Sequence, residues 1–364
     1  MSREIPKDLV FEDTPVGKLE REIWTASDEE IDKILEEFGI PSPPGLAEPG
    51  MYIQTTPGYK IFEEVRQCDV VIIPIGSTEF HGNHLPPGTD TLYVTQISEA
   101  VRKHMAKKGK PVAITWPITY GSHPWHHYGM PGTVIIEEDH LKEYIMDVML
   151  GLWNMGYRKQ ILINNHGHFW VLESAIQEFM KKYQLPGIYI ALDWHRAAGK
   201  FFRTKERGGE FETDFVHADE AETSLALLLF PPEMVNMDYA VDTNPRSYLP
   251  EGHFDKAVDG LLRPMRWSSA EGHIPIEIVN TPEGVVGKAT LADAKKAKRA
   301  IAFILKYLEL LIDQILERFP PGTVPPVEEV TFRTTEEMEP YLKLPGDEGW
   351  KPVYGLVKRL GGKG

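Results

Sequence analysis

The chain has 364 residues, 42% of them apolar and 26% charged, with a net charge of −15. That length can bury the core of one large α/β domain or two smaller ones, and the acidic balance argues against nucleic acid or an anionic membrane as the main partner. A single cysteine, Cys68, excludes an intrachain disulfide and a thiolate zinc cluster.

Residues 1–60 read as an N-terminal extension. Met1–Lys7 carries no signal-type apolar segment, and no apolar run reaches membrane-spanning length, so a cytoplasmic protein is expected. Ser27-Asp-Glu-Glu30 has capping-box spacing ahead of an amphipathic helix through Ile31, Ile34, Leu35 and Phe38, stopped by Gly39. Pro41 to Gly45 is a turn or linker. The main domain is expected over 61–320. Apolar runs at 69–75, 111–118, 160–164 and 187–193 read as strands, and Cys68, leading into the first, as an inert core residue. Helical periodicity covers 91–107, 139–155, 170–183, 218–230 and 290–318. Strands alternating with helices predict an α/β fold, a mainly parallel sheet covered by helices on both faces. On the last helix, Ile301, Leu305, Leu308, Leu311 and Ile315 form a seam for core packing or a subunit contact. Residues 321–364, punctuated by proline and glycine, are expected to wrap the surface as a C-terminal tail. There is no internal repeat.

Ligands of open parallel sheets lie beyond the carboxyl ends of the strands, and four predicted strands end there in polar or aromatic segments. The first leads into Glu79, His81, His84 and Asp90, the second into Tyr120 to Thr133, the third into Asn164 to Trp170, the fourth into Asp193 to Arg196. Most of the 13 histidines fall in these segments. Carboxylates neutralise a divalent cation and imidazoles add directional nitrogen donors, so the mixture points to a hydrolytic metal site. His166 and His168 flank a glycine that permits a tight turn; His168 reads either as a ligand or as a donor behind the ligands. His217 and Glu222 sit at the start of one helix, a turn apart, and can face one cavity. Trp125, Trp170 and Trp194 could wall a small ring-shaped substrate or be ordinary aromatic core. Arg196, His126 and His127 could hydrogen-bond its hydroxyls.

Glu79-x-His81-Gly-x-His84-Leu-Pro, Asp90, His127-x-x-Met-Pro-Gly-Thr133, Asn165-His166-Gly, His217-Ala-x-x-x-Glu222-Thr-Ser and Gly284-Val-Val-Gly287 resemble the creatininase (creatinine amidohydrolase) family, in order and with matching spacing from about residue 69 to 300. The resemblance implies a three-layer α/β/α sandwich, two divalent metal ions (zinc and/or manganese) and a homo-oligomer, commonly a hexamer. By position, Glu79, Asp90 and His166 would hold one ion, His81 and Asp90 the other, with Asp90 bridging, and His217 matches the family's catalytic histidine. The chain departs from the family at His168, where creatininase proper has a glutamate ligand and many relatives a glycine; an imidazole there could serve the second ion. His126 and Met130 also replace a common glutamate and a common aromatic.

Longer members of this build are similar to the inositol-catabolism branch, which hydrolyses a ring diketone. The expected reaction is therefore metal-assisted opening of a cyclic polyhydroxy ketone such as 3-dehydro-scyllo-inosose, with His217 and Glu222 as the proton-handling pair. Hydrolysis of creatinine or another amide needs the same metals and a different pocket. A non-catalytic metal- or sugar-binding protein is the reading from another class.

Overall fold

The structure, a computed structural model, describes residues 11–27, 29–30, 32–33, 45–122, 127–244 and 281–354. The chain divides into two compact units, Met1–Pro49 and Gly50–Gly364. In the first, helix α1 (Pro15–Thr25) begins with a proline, whose missing N–H costs nothing in a first turn. After it, the Glu30 amide donates to Ser27 Oγ and the Ser27 amide to Glu30 Oε2 at 2.8 Å, the reciprocal cap that the spacing predicts. Ile31, Ile34, Leu35, Phe38 and the linker from Pro41 lie outside the described residues.

The second unit starts with α2 (Gly58–Gln67) and then alternates: β1 (Val70–Ile75), α3 (Thr89–Lys107), β2 (Ala113–Ile114), α4 (Glu138–Asn154), β3 (Lys159–Asn164), α5 (Phe169–Tyr183), β4 (Ile188–Asp193), α6 (Glu220–Leu229) and α7 (Ala294–Arg318). The sheet is parallel in the order β2-β1-β3-β4. Successive side chains of a strand point to opposite faces, and here they feed two cores. Val70, Ile72, Ile161 and Ile163 pack with α3, α6 and α7, whereas Val71, Ile73, Ile75 and Leu162 pack with α4 and α5. The second unit is therefore a three-layer α/β/α sandwich. Cys68 is buried in the first core, as is the α7 seam at Ile301, Leu308 and Ile315.

Two expectations change. The strand expected over 111–118 pairs only at Ala113–Ile114, with one further bridge from Ile75 to Ile118. Pro111 and Pro117 have no N–H to give a ladder, which leaves a short edge strand. The tail does more than wrap the surface: Val327, Met338 and Val353 are buried in the second core, and the Arg158 guanidinium donates to the carbonyls of Tyr341, Leu342 and Lys343 in and after α8 (Thr335–Leu342).

Strand order reverses between β1 and β3, since β1 runs on to β2 on one side and β3 to β4 on the other. Ladder register places Ile75, Asn164 and Asp193 in one row at the carboxyl ends. A crevice at such a reversal is where open α/β sheets take their ligands.

Candidate functional site

The chain turns directly at the end of β1. A side chain at Gly76 would come within 2.5 Å of the Thr91 backbone, so only glycine lets α3 begin this close to the strand. That proximity brings Asp90, the second residue of α3, beside Glu79 and His81 from the preceding loop. All three are buried.

The β3 end supplies the next layer. His166 Nδ1 lies 2.9 Å from Asp90 Oδ2 and 3.2 Å from Glu79 Oε2. The Asn165 amide donates to Asp90 Oδ1 at 2.8 Å and accepts from Trp194 Nε1 at 2.5 Å. The third contribution comes from the loop before α6. Its backbone is pinned by a bridge from His217 to Val286, and Gly284, at φ 68°, lies where any side chain would strike the Phe80 ring. His217 Nε2 donates to the Phe80 carbonyl at 2.8 Å, which turns Nδ1 inwards, 3.9 Å from Glu79 Oε2. The His217 ring is packed between those of His81 and His127, at 4.3 and 4.4 Å.

His81 defines the chemistry. Its Nδ1 is 2.8 Å from the Glu79 carbonyl, which can only accept, so Nδ1 carries the proton and Nε2 presents a lone pair. That Nε2 makes no hydrogen bond among the described residues, yet faces Asp90 Oδ1 at 3.5 Å and Glu222 Oε2 at 3.7 Å. Three acceptors aimed at one small buried volume repel one another unless a cation lies between them. The same crowding of negative charge favours a proton on these imidazoles when no metal ion is bound. Burial disfavours the His81 cation, but Asp90 and Glu222 push its pKa up to about 10. Burial acts likewise on His166, and Glu79 and Asp90 raise it to about 10. Burial opposes ionisation of Glu79 and Asp90, yet the histidines around them hold both well below the usual carboxylate range. The donor set, mixed carboxylate and imidazole, fits a divalent metal ion. Glu79, His81 and Asp90, and likewise Glu79, His127 and His217, bring donor atoms within 4.8 Å of one another, as do His81, His217 and Glu222.

Other expected residues fall differently. His127, expected at the substrate, is buried with Nδ1 2.9 Å from Glu79 Oε1, so it belongs to the cluster. Trp194, expected to wall the substrate, is fully buried in the first core and contacts the site through Asn165. Its aromatic character could not separate pocket from core. Arg196, expected on substrate hydroxyls, pairs with Asp193 and sits over the Phe169 ring at 6.0 Å. Trp170 is partly buried against the second core. His168 is fully buried, its Nδ1 against the Ser122 carbonyl at 2.9 Å, and burial and His166 hold its pKa well below the ordinary value. Trp125 and His126 lie outside the described residues. Asn165, absent from the expected ligands, was signalled only by its place in Asn165-His166-Gly.

The deciding comparison is with known families: residues 59–312 match the creatinine amidohydrolase family. The chain belongs to the creatininase family. It is 50% identical over 305 residues to a 3-dehydro-scyllo-inosose hydrolase of Thermotoga maritima, an alignment spanning 84% of this creatininase-family chain and 96% of that protein. Among solved structures it is similar to a creatininase mutant of Zn-Zn type, with TM-score 0.56, 21% identity and coverage of 75% of this chain and all of the other. A structure named creatininase Mn gives TM-score 0.54 at 21% identity, covering 74% and 99%. At that identity the likeness is one of fold, and it agrees with the sandwich described above.

Proposed function

We propose that this creatininase-family member is a metal-dependent hydrolase that opens the ring of 3-dehydro-scyllo-inosose by hydrolysing a C–C bond beside a ketone. The metal dependence rests on one observation, the His81 Nε2 lone pair facing Asp90 Oδ1 and Glu222 Oε2 at 3.5 and 3.7 Å with no hydrogen-bond partner among the described residues. The substrate is supported by the 50% identity with nearly the full length of the Thermotoga maritima hydrolase.

In this reading Glu79, Asp90 and His166 would hold one ion and His81 with Asp90 the other, zinc or manganese by analogy with the creatininase forms. Such ions supply Lewis acidity towards a ketone oxygen and a water of lowered pKa. The protein's own groups do the rest. His127 and His166 fix the Glu79 carboxylate from two sides, and Asn165, itself fixed by Trp194, orients Asp90. His217 delivers a proton to the departing carbon from Nδ1, because Nε2 is committed to Phe80. Hydrolysis then places hydroxyl on the carbonyl carbon and hydrogen on the released carbon, leaving a carboxylic acid at the opened end. Trp125, His126 and Trp170 remain the candidates for the substrate wall.

The test is to incubate metal-loaded protein with the inosose and, separately, with creatinine, and to follow both by proton NMR. The reading expects consumption of the inosose and untouched creatinine. Creatine formation with intact inosose would favour amide hydrolysis, and turnover of neither would favour a binding protein. The lone buried cysteine suits a reducing cytoplasm, and exposed aromatics at Trp116, Tyr120 and Tyr128 suit a homo-oligomer, six chains by family resemblance.

A further inference from the structure

We infer that the acidic ligand of the second ion is Glu222, and that His168 is a positioning residue behind the metal. The inference rests on the two-ion reading above and completes its donor set. His168 occupies the position at which creatininase proper carries a glutamate ligand, but here its Nδ1 is engaged elsewhere, while its Nε2, without a hydrogen-bond partner among the described residues, belongs to none of the three donor groups above. Its Nδ1 faces both the carbonyl and the amide of Ser122, at 2.9 and 3.2 Å. Gly121 packs so tightly on the ring that an added side chain would come within 2.8 Å of it. The imidazole thus clamps the loop after β2 against the start of α5.

A carboxylate arrives instead from α6. Glu222 Oε2 is 3.7 Å from His81 Nε2, which is 3.5 Å from Asp90 Oδ1, and His81 is only 1% exposed. Donors bound tetrahedrally at about 2.0–2.2 Å from one ion lie about 3.3–3.6 Å apart, so these separations suit a shared cation better than hydrogen bonds. Because His81 Nε2 has no hydrogen-bond partner among the described residues, the cation has a waiting nitrogen ligand. Glu222 is also pre-oriented: the Ala218 amide donates to Oε2 at 2.5 Å, leaving that oxygen's other lone pair for the metal. With Glu79, Asp90 and Glu222 the site carries three negative charges against four on two divalent ions. The glutamate lost at position 168 is thereby replaced in charge.

The test compares metal content and cobalt(II) visible absorption in the full chain, wild type, Glu222→Gln and His168→Asn. Glutamine keeps an acceptor for the Ala218 amide, and asparagine keeps a donor near the Nδ1 position for Ser122; circular dichroism checks that each folds. Wild type should take up two ions. Glu222→Gln should retain one, its second-site affinity falling by more than about 100-fold, beyond the usual cost of removing an outer partner. His168→Asn should retain two, within about tenfold of wild-type affinity, and Glu222→Asp should recover part of the second site. Two ions bound at wild-type affinity by Glu222→Gln, or one lost by His168→Asn, would overturn the assignment. Wild-type protein that binds no divalent ion would overturn the two-ion reading itself.

Discussion

In the proposed reading, His217 would supply a proton from a position fixed by its neighbours. It packs at a tilt between two imidazoles, gives Nε2 to Phe80 and leaves Nδ1 facing Glu79. Replacing it by alanine should lower kcat by about 10²- to 10⁴-fold, the usual worth of a positioned acid or base, with metal content unchanged. Unaltered turnover would remove His217 from the reaction. Whereas His127 was expected at the substrate, Glu79, His81, Asp90 and His166 were readable in sequence because acids and imidazoles following a buried strand have few other uses. Their partners were not. Asn165 meets Asp90 across 75 positions and Trp194 across 29, and no local pattern encodes such contacts. Ala218, between His217 and Asp219, adopts φ 47°, a left-handed conformation unusual for alanine and of the kind that gathers at functional sites.

Among the elements, β1, β3 and β4 were legible nearly to the residue, since each carries an apolar run, continuous in β1 and confined to residues 161–163 and 188–192 in the others. The exception is β2, where prolines break pairing that hydropathy alone predicts. Helix bounds followed from periodicity, but which helix meets which required charge as well as hydropathy. The end of α3 and the lysine just beyond it meet α7 through an exposed network: Glu309 accepts from Lys108 and Lys306 and pairs with His104, while Asp313 pairs with Lys108 and Lys110. Hydrogen bonds from Lys108, Lys306 and His104 hold the Glu309 pKa below its ordinary value, and Lys110 and Lys108 do so for Asp313 against slight burial. Carboxylates with depressed folded pKa values stabilise the fold above the unfolded carboxylate range, near about 4, and that contribution is lost as pH falls through the folded values. Melting temperatures of wild type and of a Glu309→Gln, Asp313→Asn double variant should therefore keep their gap above about pH 5 and converge as pH falls below about 4. A gap that is constant or widens towards acid would contradict the network's role, and added salt should narrow it at the higher pH.

For the whole molecule, the tail was the least legible part. Proline and glycine mark where elements stop, and they do not reveal that Val327, Met338 and Val353 complete the second core. The tail's carbonyls also receive the Arg158 guanidinium, which is otherwise buried against Trp153. Deleting residues 321–364 should uncover that core and abolish cooperative thermal unfolding, read by circular dichroism; an unchanged transition would make the tail an accessory. The same folding logic gathers the site. Loops from β1, β3 and the α6 entry are separate in sequence and meet only because strand order reverses at β1 and β3. The most direct measurement is anomalous scattering from crystals grown with manganese or zinc. The account predicts two peaks among Glu79, His81, Asp90 and His166, with Asp90 touching both. Well-ordered density for these side chains with no anomalous peak between them would contradict it.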